Sequence, residues 1–168
     1  ISFKKRNNGI LNKSMNILFI CTGNVNRSPA AQIILENMSN EDKSILVDSA
    51  AISDYQKGNK MIKRMTDTLR EYGYKIDNIP ISKPITQELV DWADMILCMQ
   101  PHHLISILDK FGEKYRNKTR PLSNFSSKNI RGINDPHGKF QKVYYETIDQ
   151  LEDCCEKLYE NLSSRPKE

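Results

Sequence analysis

The sequence predicts an α/β fold built on a parallel sheet, and three observations carry that reading. Continuous apolar runs of strand length occur at residues 15–20 (MNILFI) and 94–99 (DMILCM), as in strands buried on both faces. Stretches with apolar residues three and four apart follow such runs, which is helical spacing. The two kinds of segment alternate along the chain, which implies right-handed βαβ units. In such sheets ligands bind at loops beyond the carboxyl ends of the strands.

The elements follow in order. Strand 15–20 runs into Cys21. After a loop over 21–27, Ser28-Pro29 reads as an N-cap with proline in the first turn. Ala30, Ile34 and Met38 then form one stripe and Ala31 and Leu35 another, giving an amphipathic helix. Residues 45–47 begin a second strand that continues into Asp48-Ser49-Ala50. A helix is expected over 59–72, with Ile62, Met65, Leu69 and Tyr72 on one face and Gly73 ending it. A short helix covers 86–93, the third strand 94–99, and another helix starts at Pro101 and reaches about 108. Residues 119–122 are a short candidate fourth strand, and 123–138 a long polar loop. The last helix spans about 139–162, with Tyr144, Ile148, Leu151, Cys155, Leu158 and Leu162 as its core stripe.

Bulk properties narrow the class. A chain of 168 residues fits one domain. Net charge of +4 suits an anionic substrate without demanding nucleic acid. Cys21, Cys98, Cys154 and Cys155 show no metal-ligand spacing, and reduced thiols fit a cytoplasmic location. No apolar run reaches the roughly 18–20 residues of a membrane span. Residues 1–14 are basic and polar, lack a signal-peptide centre, and are expected to be a disordered lead-in or a remnant of processing. The domain is expected over 15–162, with a polar tail at 163–168.

The chemistry concentrates in Cys21-Thr22-Gly23-Asn24-Val25-Asn26-Arg27-Ser28, a Cys-x5-Arg loop between strand and helix. Five intervening residues can curl so that successive N–H groups face one point, a nest for an oxyanion. The following helix aims its free N–H groups and positive dipole end at the same place. Gly23 permits a tight, positive-φ backbone, and Asn24 tolerates the left-handed region better than most residues. Positive potential over Cys21 favours the nucleophilic thiolate. Arg27 presents a planar fork to two phosphate oxygens, and Ser28 is placed to donate its hydroxyl to the thiolate. Asp135, before Pro136 in the loop ahead of the last helix, is an acid available for proton transfer, although Asp-Pro-x-Gly taken alone is more often a plain turn.

With its Ser28-Pro29 flank, this loop resembles the phosphate-binding loop of the low-molecular-weight protein tyrosine phosphatases. Asp48-Ser49-Ala50-Ala51, Ile96-Leu97-Cys98-Met99 and Asp135-Pro136 resemble that family's later motifs, in the same order. The resemblance implies a three-layer α/β/α fold with a four-stranded parallel sheet. It implies phosphotyrosine (aryl phosphate) hydrolysis through a phosphocysteine, with no metal or other cofactor. Cys21, Arg27, Asp135 and Ser28 are then catalytic. Thr22, Gly23, Asn24, Val25, Asn26, Tyr55 and His137 contact substrate, and Asn24 and Ser49 brace the loop. Tyr55 and His137 would wall an aryl ring, although the family usually has an aromatic where His137 stands. The partners implied are a phosphotyrosine protein or another aryl phosphate, and inorganic phosphate as product. Neither nucleic acid nor membrane is expected, and the chain is expected to be a monomer or weak dimer.

Two departures and three rivals accompany the resemblance. Asn26 stands where the family often has a second cysteine, so a protective disulfide inside the loop is not expected. A histidine often found ahead of the third strand is missing, with Pro80 near that place. An arsenate reductase shares the fold but needs a cysteine relay, for which Cys98 is the nearest candidate. A phosphoarginine phosphatase would suit a small polar residue at position 25, where Val25 is apolar and branched. A non-catalytic phosphate-binding module would not need Cys21, Arg27 and Asp135 together. Asp54, Asp91 and Asp94 are read as solvated or capping groups.

Overall fold

A computed structural model describes residues 14–40 and 42–165. The expectations for 1–14, Ser14 apart, and for the end of the 163–168 tail concern residues outside this range. Four strands, β1 (Met15–Cys21), β2 (Ile45–Ala51), β3 (Met95–Cys98) and β4 (Thr119–Pro121), form one sheet of order β2-β1-β3-β4. Every pairing is parallel, as expected. Five α-helices complete the described chain: α1 (Arg27–Met38), α2 (Lys63–Glu71), α3 (Gln87–Trp92), α4 (Pro101–Phe111) and α5 (Gln141–Ser163).

Alternation along β1 creates two cores. Ile17, Phe19 and Cys21 face the layer of α1, α2 and α5, where they meet Ile34, Met65, Tyr144 and Leu151. Leu18 and Ile20 point the other way, into a core with Val90 of α3 and Ile107 and Leu108 of α4. A central strand covered on both faces has to be apolar throughout. Complete burial of Phe19 makes truncation to alanine cost about 3–5 kcal/mol.

Several boundaries differ from the sequence reading. Helix α2 begins at Lys63 and not at 59, because residues 59–62 are held in other bonds. Lys60 bridges to Ile81, and the Ile62 amide donates to Val25 O at 3.0 Å. Its other end is as expected: Gly73 takes φ +91°, with Gly73 N–H bonded to Arg70 O and Tyr74 N–H to Leu69 O, a Schellman closure. Helix α4 continues to Phe111, and residues 122–125, assigned mostly to a loop, form a 3-10 turn with Leu122 buried. Helix α1 is not amphipathic in its first half. Arg27 through Ala31 and Ile33 through Leu35 are all buried, because α1 lies between the sheet and α5.

Candidate active site

Cys21 closes β1 at its carboxyl end and is 3% exposed. The loop after it is tied down from outside. Ile52 N–H donates to Cys21 O, Ser53 N–H to Thr22 O and Ile62 N–H to Val25 O, and the Ser82 hydroxyl donates to Gly23 O at 2.8 Å. In a trans peptide the C=O of one residue and the N–H of the next point in opposite directions. Carbonyls turned outward at 21, 22, 23 and 25 therefore aim the following N–H groups inward. Asn24 N–H follows this rule and reaches Cys21 Sγ at 3.2 Å. Helix α1 begins at Arg27 with no acidic residue in its first turn, so its N-terminal dipole is left to an anion.

Within the loop one assignment changes and an open one is decided. Ser28 lies inside α1, whose N-cap is Asn26 with no side-chain capping bond. The Ser28 hydroxyl sits 3.0 Å from Cys21 Sγ, the neighbour expected for it. Of the two residues suited to a positive φ, Asn24 takes it, at +57°, and Gly23 does not. Gly23 is constrained by space, since a Cβ there would lie 3.2 Å from Gln56 Cγ.

Asn24 is held in the left-handed region by its own side chain. The amide donates to Ser28 Oγ at 2.8 Å and to Ser49 Oγ at 3.0 Å, and its oxygen accepts from Lys83 N–H at 3.2 Å. The expected Asn24–Ser49 pair is thus formed. The Ser49 hydroxyl in turn donates to Gln32 Oε1 at 2.6 Å. Where the family histidine is missing, Ser82 and Lys83 support the loop, and Lys83 Nζ is bound by both oxygens of Asp48.

Arg27 is 4% exposed. It donates from Nη1 to Ile133 O at 3.1 Å, while its Nη2 lies 3.7 Å from the Asp135 carboxylate. That carboxylate is more than half exposed and accepts from His137 N–H at 3.1 Å. A cavity of about 170 Å³ unites these groups, lined by the loop from Cys21 to Arg27 and by Tyr55, Asp135 and His137. Every substrate-contacting residue named from the sequence lines it, and Ser28 and Ser49 lie just behind. Tyr55 is 88% exposed, a free ring at the rim.

Some residues of the site escaped the sequence reading. Ser53 and Gln56 line the cavity, and His103 reaches Thr22 Oγ1 at 2.9 Å. The available signal was topological: Gln100 to His103 follow β3, the strand beside β1, at the same carboxyl edge. Cys98 lies in the core on the far side of the sheet from Cys21. Asp91 accepts the Tyr115 hydroxyl and Asp94 accepts Asn16 N–H, so each holds a bond within the fold where a solvated or capping group was expected. Among the described residues no group of three or more His, Cys, Asp and Glu is arranged to hold a metal ion.

Comparison with known proteins agrees with this geometry. The profile of the family described as low molecular weight phosphotyrosine protein phosphatase matches residues 16–167. A protein-arginine-phosphatase of Geobacillus stearothermophilus is 36% identical over 151 residues, covering 88% of this chain and 96% of the relative. The low molecular weight phosphotyrosine protein phosphatase of Mus musculus is 28% identical over 155 residues, covering 87% and 97%. The crystal structure of a protein tyrosine phosphatase from Entamoeba histolytica superposes with a TM-score of 0.84 at 29% identity, covering 89% of this chain and 97% of that one. With a family match across nearly all of its described residues, this chain belongs to the low molecular weight phosphotyrosine protein phosphatase family and is a phosphatase.

Proposed function

We propose that this phosphatase hydrolyses aryl phosphate monoesters, phosphotyrosine in proteins among them, through a phosphocysteine on Cys21. The observation that carries the substrate class is Val25, an apolar branched side chain at the cavity, 5% exposed, with the Tyr55 ring at the rim. Together they offer an apolar slot for a flat ring. Inward N–H groups and the Arg27 fork hold the three phosphoryl oxygens. Cys21 Sγ attacks phosphorus, the S–P bond forms, and the P–O bond to the aryl group breaks as Asp135 protonates the leaving oxygen. Water then attacks phosphorus and gives a proton to Asp135. Sγ leaves as a thiolate, accepting from the Ser28 hydroxyl and Asn24 N–H, and inorganic phosphate is released.

Phosphoarginine hydrolysis is the second reading, favoured by the 36% identity to an arginine phosphatase. Val25 offers no hydrogen bond to a guanidinium, which weighs against it. Arsenate reduction is disfavoured by the position of Cys98 across the sheet. The test is hydrolysis of p-nitrophenyl phosphate, a phosphotyrosine peptide and a phosphoarginine peptide with EDTA present, by wild type and Cys21→Ser. Wild type should turn over the aryl substrates faster, and Cys21→Ser should retain phosphate binding without turnover. Faster release from phosphoarginine would replace the first reading with the second, and an active Cys21→Ser would refute the nucleophile.

A further inference from the structure

His103 is a buried imidazole to which the chemistry above gives no part. It lies in the first turn of α4 and is 1% exposed. Gln100 N–H donates to its Nδ1 at 3.1 Å. A backbone amide can only donate, so Nδ1 is the acceptor and the proton of a neutral ring sits on Nε2. That Nε2–H then donates to Thr22 Oγ1 at 2.9 Å, on the residue directly after the nucleophile. Burial, the neighbouring His102 and the Arg27 guanidinium push its pKa down to about 3, so the ring keeps this one tautomer at any ordinary pH.

From the same helix start a second arm runs to the other loop of the site. Gln100 Nε2 donates to Ile133 O at 2.7 Å, the carbonyl that also accepts Arg27 Nη1. Gln100 packs so closely over Gly132 that a Cβ there would lie 2.5 Å from Gln100 Oε1. Ile133 N–H is itself anchored to Met99 O at 2.8 Å. The helix start is therefore a rigid bracket with one arm on Thr22 and the other two residues before Asp135.

We propose that His103 is a positioning residue for this active site: its Nε2–H fixes Thr22, and Gln100 beside it fixes Ile133, so that nucleophile and acid loops keep one mutual register. The proposal rests on the reading of the Cys21 loop as the phosphatase site. Catalysis is sensitive to such registration, and a misplacement of about 1 Å can cost as much as 10²-fold.

Thr22→Val, His103→Ala, His103→Gln and the double variant Thr22→Val/His103→Ala test it. Steady-state kinetics on p-nitrophenyl phosphate, thermal unfolding and ¹⁵N spectra of the imidazoles are the readouts. Thr22→Val, which keeps the side-chain shape, should lower kcat about tenfold with little change in KM. His103→Ala should do the same, and the double variant should be no worse than the poorer single, because both remove one interaction. His103→Gln, with an N–H able to reach Thr22, should recover most of the loss. The spectrum should show His103 neutral and protonated at Nε2. Folded single variants with wild-type kcat, or effects that multiply in the double variant, would overturn the proposal. If His103→Ala does not fold, Thr22→Val alone decides. A wild type inactive on every phosphate monoester would instead defeat the functional reading, while the tautomer and the coupling of the two residues in thermal unfolding would still judge the contact.

Discussion

Replacing His103 by glutamine should make the protein less sensitive to acid, by an amount the structure fixes. An unfolded histidine titrates near 6.5, whereas the folded one is held down to about 3 by burial first, then by His102 and Arg27. Gln100 and Thr22, its hydrogen-bonding neighbours, carry no charge. Because the folded pKa is the lower, stability is complete above about 6.5 and falls as pH drops toward about 3, where the unfolded chain binds a proton that the folded one refuses. Each pH unit in that window is worth about 1.4 kcal/mol, so this group alone removes about 2 kcal/mol between pH 7.5 and pH 5. Urea unfolding of wild type and His103→Gln at both pH values measures it. The variant starts less stable at pH 7.5, and only the difference of differences counts. Wild type should lose about 2 kcal/mol more than the variant on going to pH 5. Parallel pH dependences would mean that the folded imidazole takes up its proton as readily as the unfolded one, and the assignment of Nδ1 as acceptor of Gln100 N–H would fall with it.

Three further outcomes are expected. Asp135→Asn should slow release of poor leaving groups by about 10²–10⁴-fold and of acidic phenols far less; a series of aryl phosphates checks this, and equal leaving-group dependence in both proteins would move the acid elsewhere. Asn24→Ala should be less stable than Asn24→Gly by about 1 kcal/mol in urea unfolding, since both lose the bonds to Ser28 and Ser49 but only alanine is strained at φ +57°; the reverse order would refute the account of the turn. Peroxide-treated protein should show no main disulfide from Cys21 by mass spectrometry. Burial pushes the thiols of Cys98 and Cys155 up and that of Cys154 to about 12, so none is a ready thiolate to attack oxidised Cys21.

The elements that sequence reveals best here are those whose pattern is set by their own burial. The run from Ile17 to Cys21 is apolar because both faces are covered, and the α5 stripe repeats because one face meets the core. Legibility failed where a residue answers to a distant segment. Nothing between Asn59 and Ile62 says that these backbone groups belong to Ile81 and Val25. Ser28-Pro29 has the local form of a cap, but the helix already begins at Arg27 with Asn26 as its N-cap; the Ser28 hydroxyl beside Cys21 was legible from the loop's chemistry. Gly23 and Asn24 compete for the positive φ, and three hydrogen bonds on the Asn24 amide decide it. His103 was invisible because its partner lies 81 positions away in the chain.

The placement of Cys98 has a consequence for what this scaffold could become. Along a pleated strand, odd and even positions look into different compartments. On β1 the odd residues 17, 19 and 21 share the compartment of the reactive sulfur, as do Leu97 on β3 and Met99 just past its end. Cys98 has the wrong parity, and the sheet between the two sulfurs acts as an insulator. Thiol-relay chemistry on this backbone is thus a matter of counting by one: a cysteine at 97 or 99 would enter the compartment of Cys21, whereas any number of refinements around position 98 would leave it on the other side.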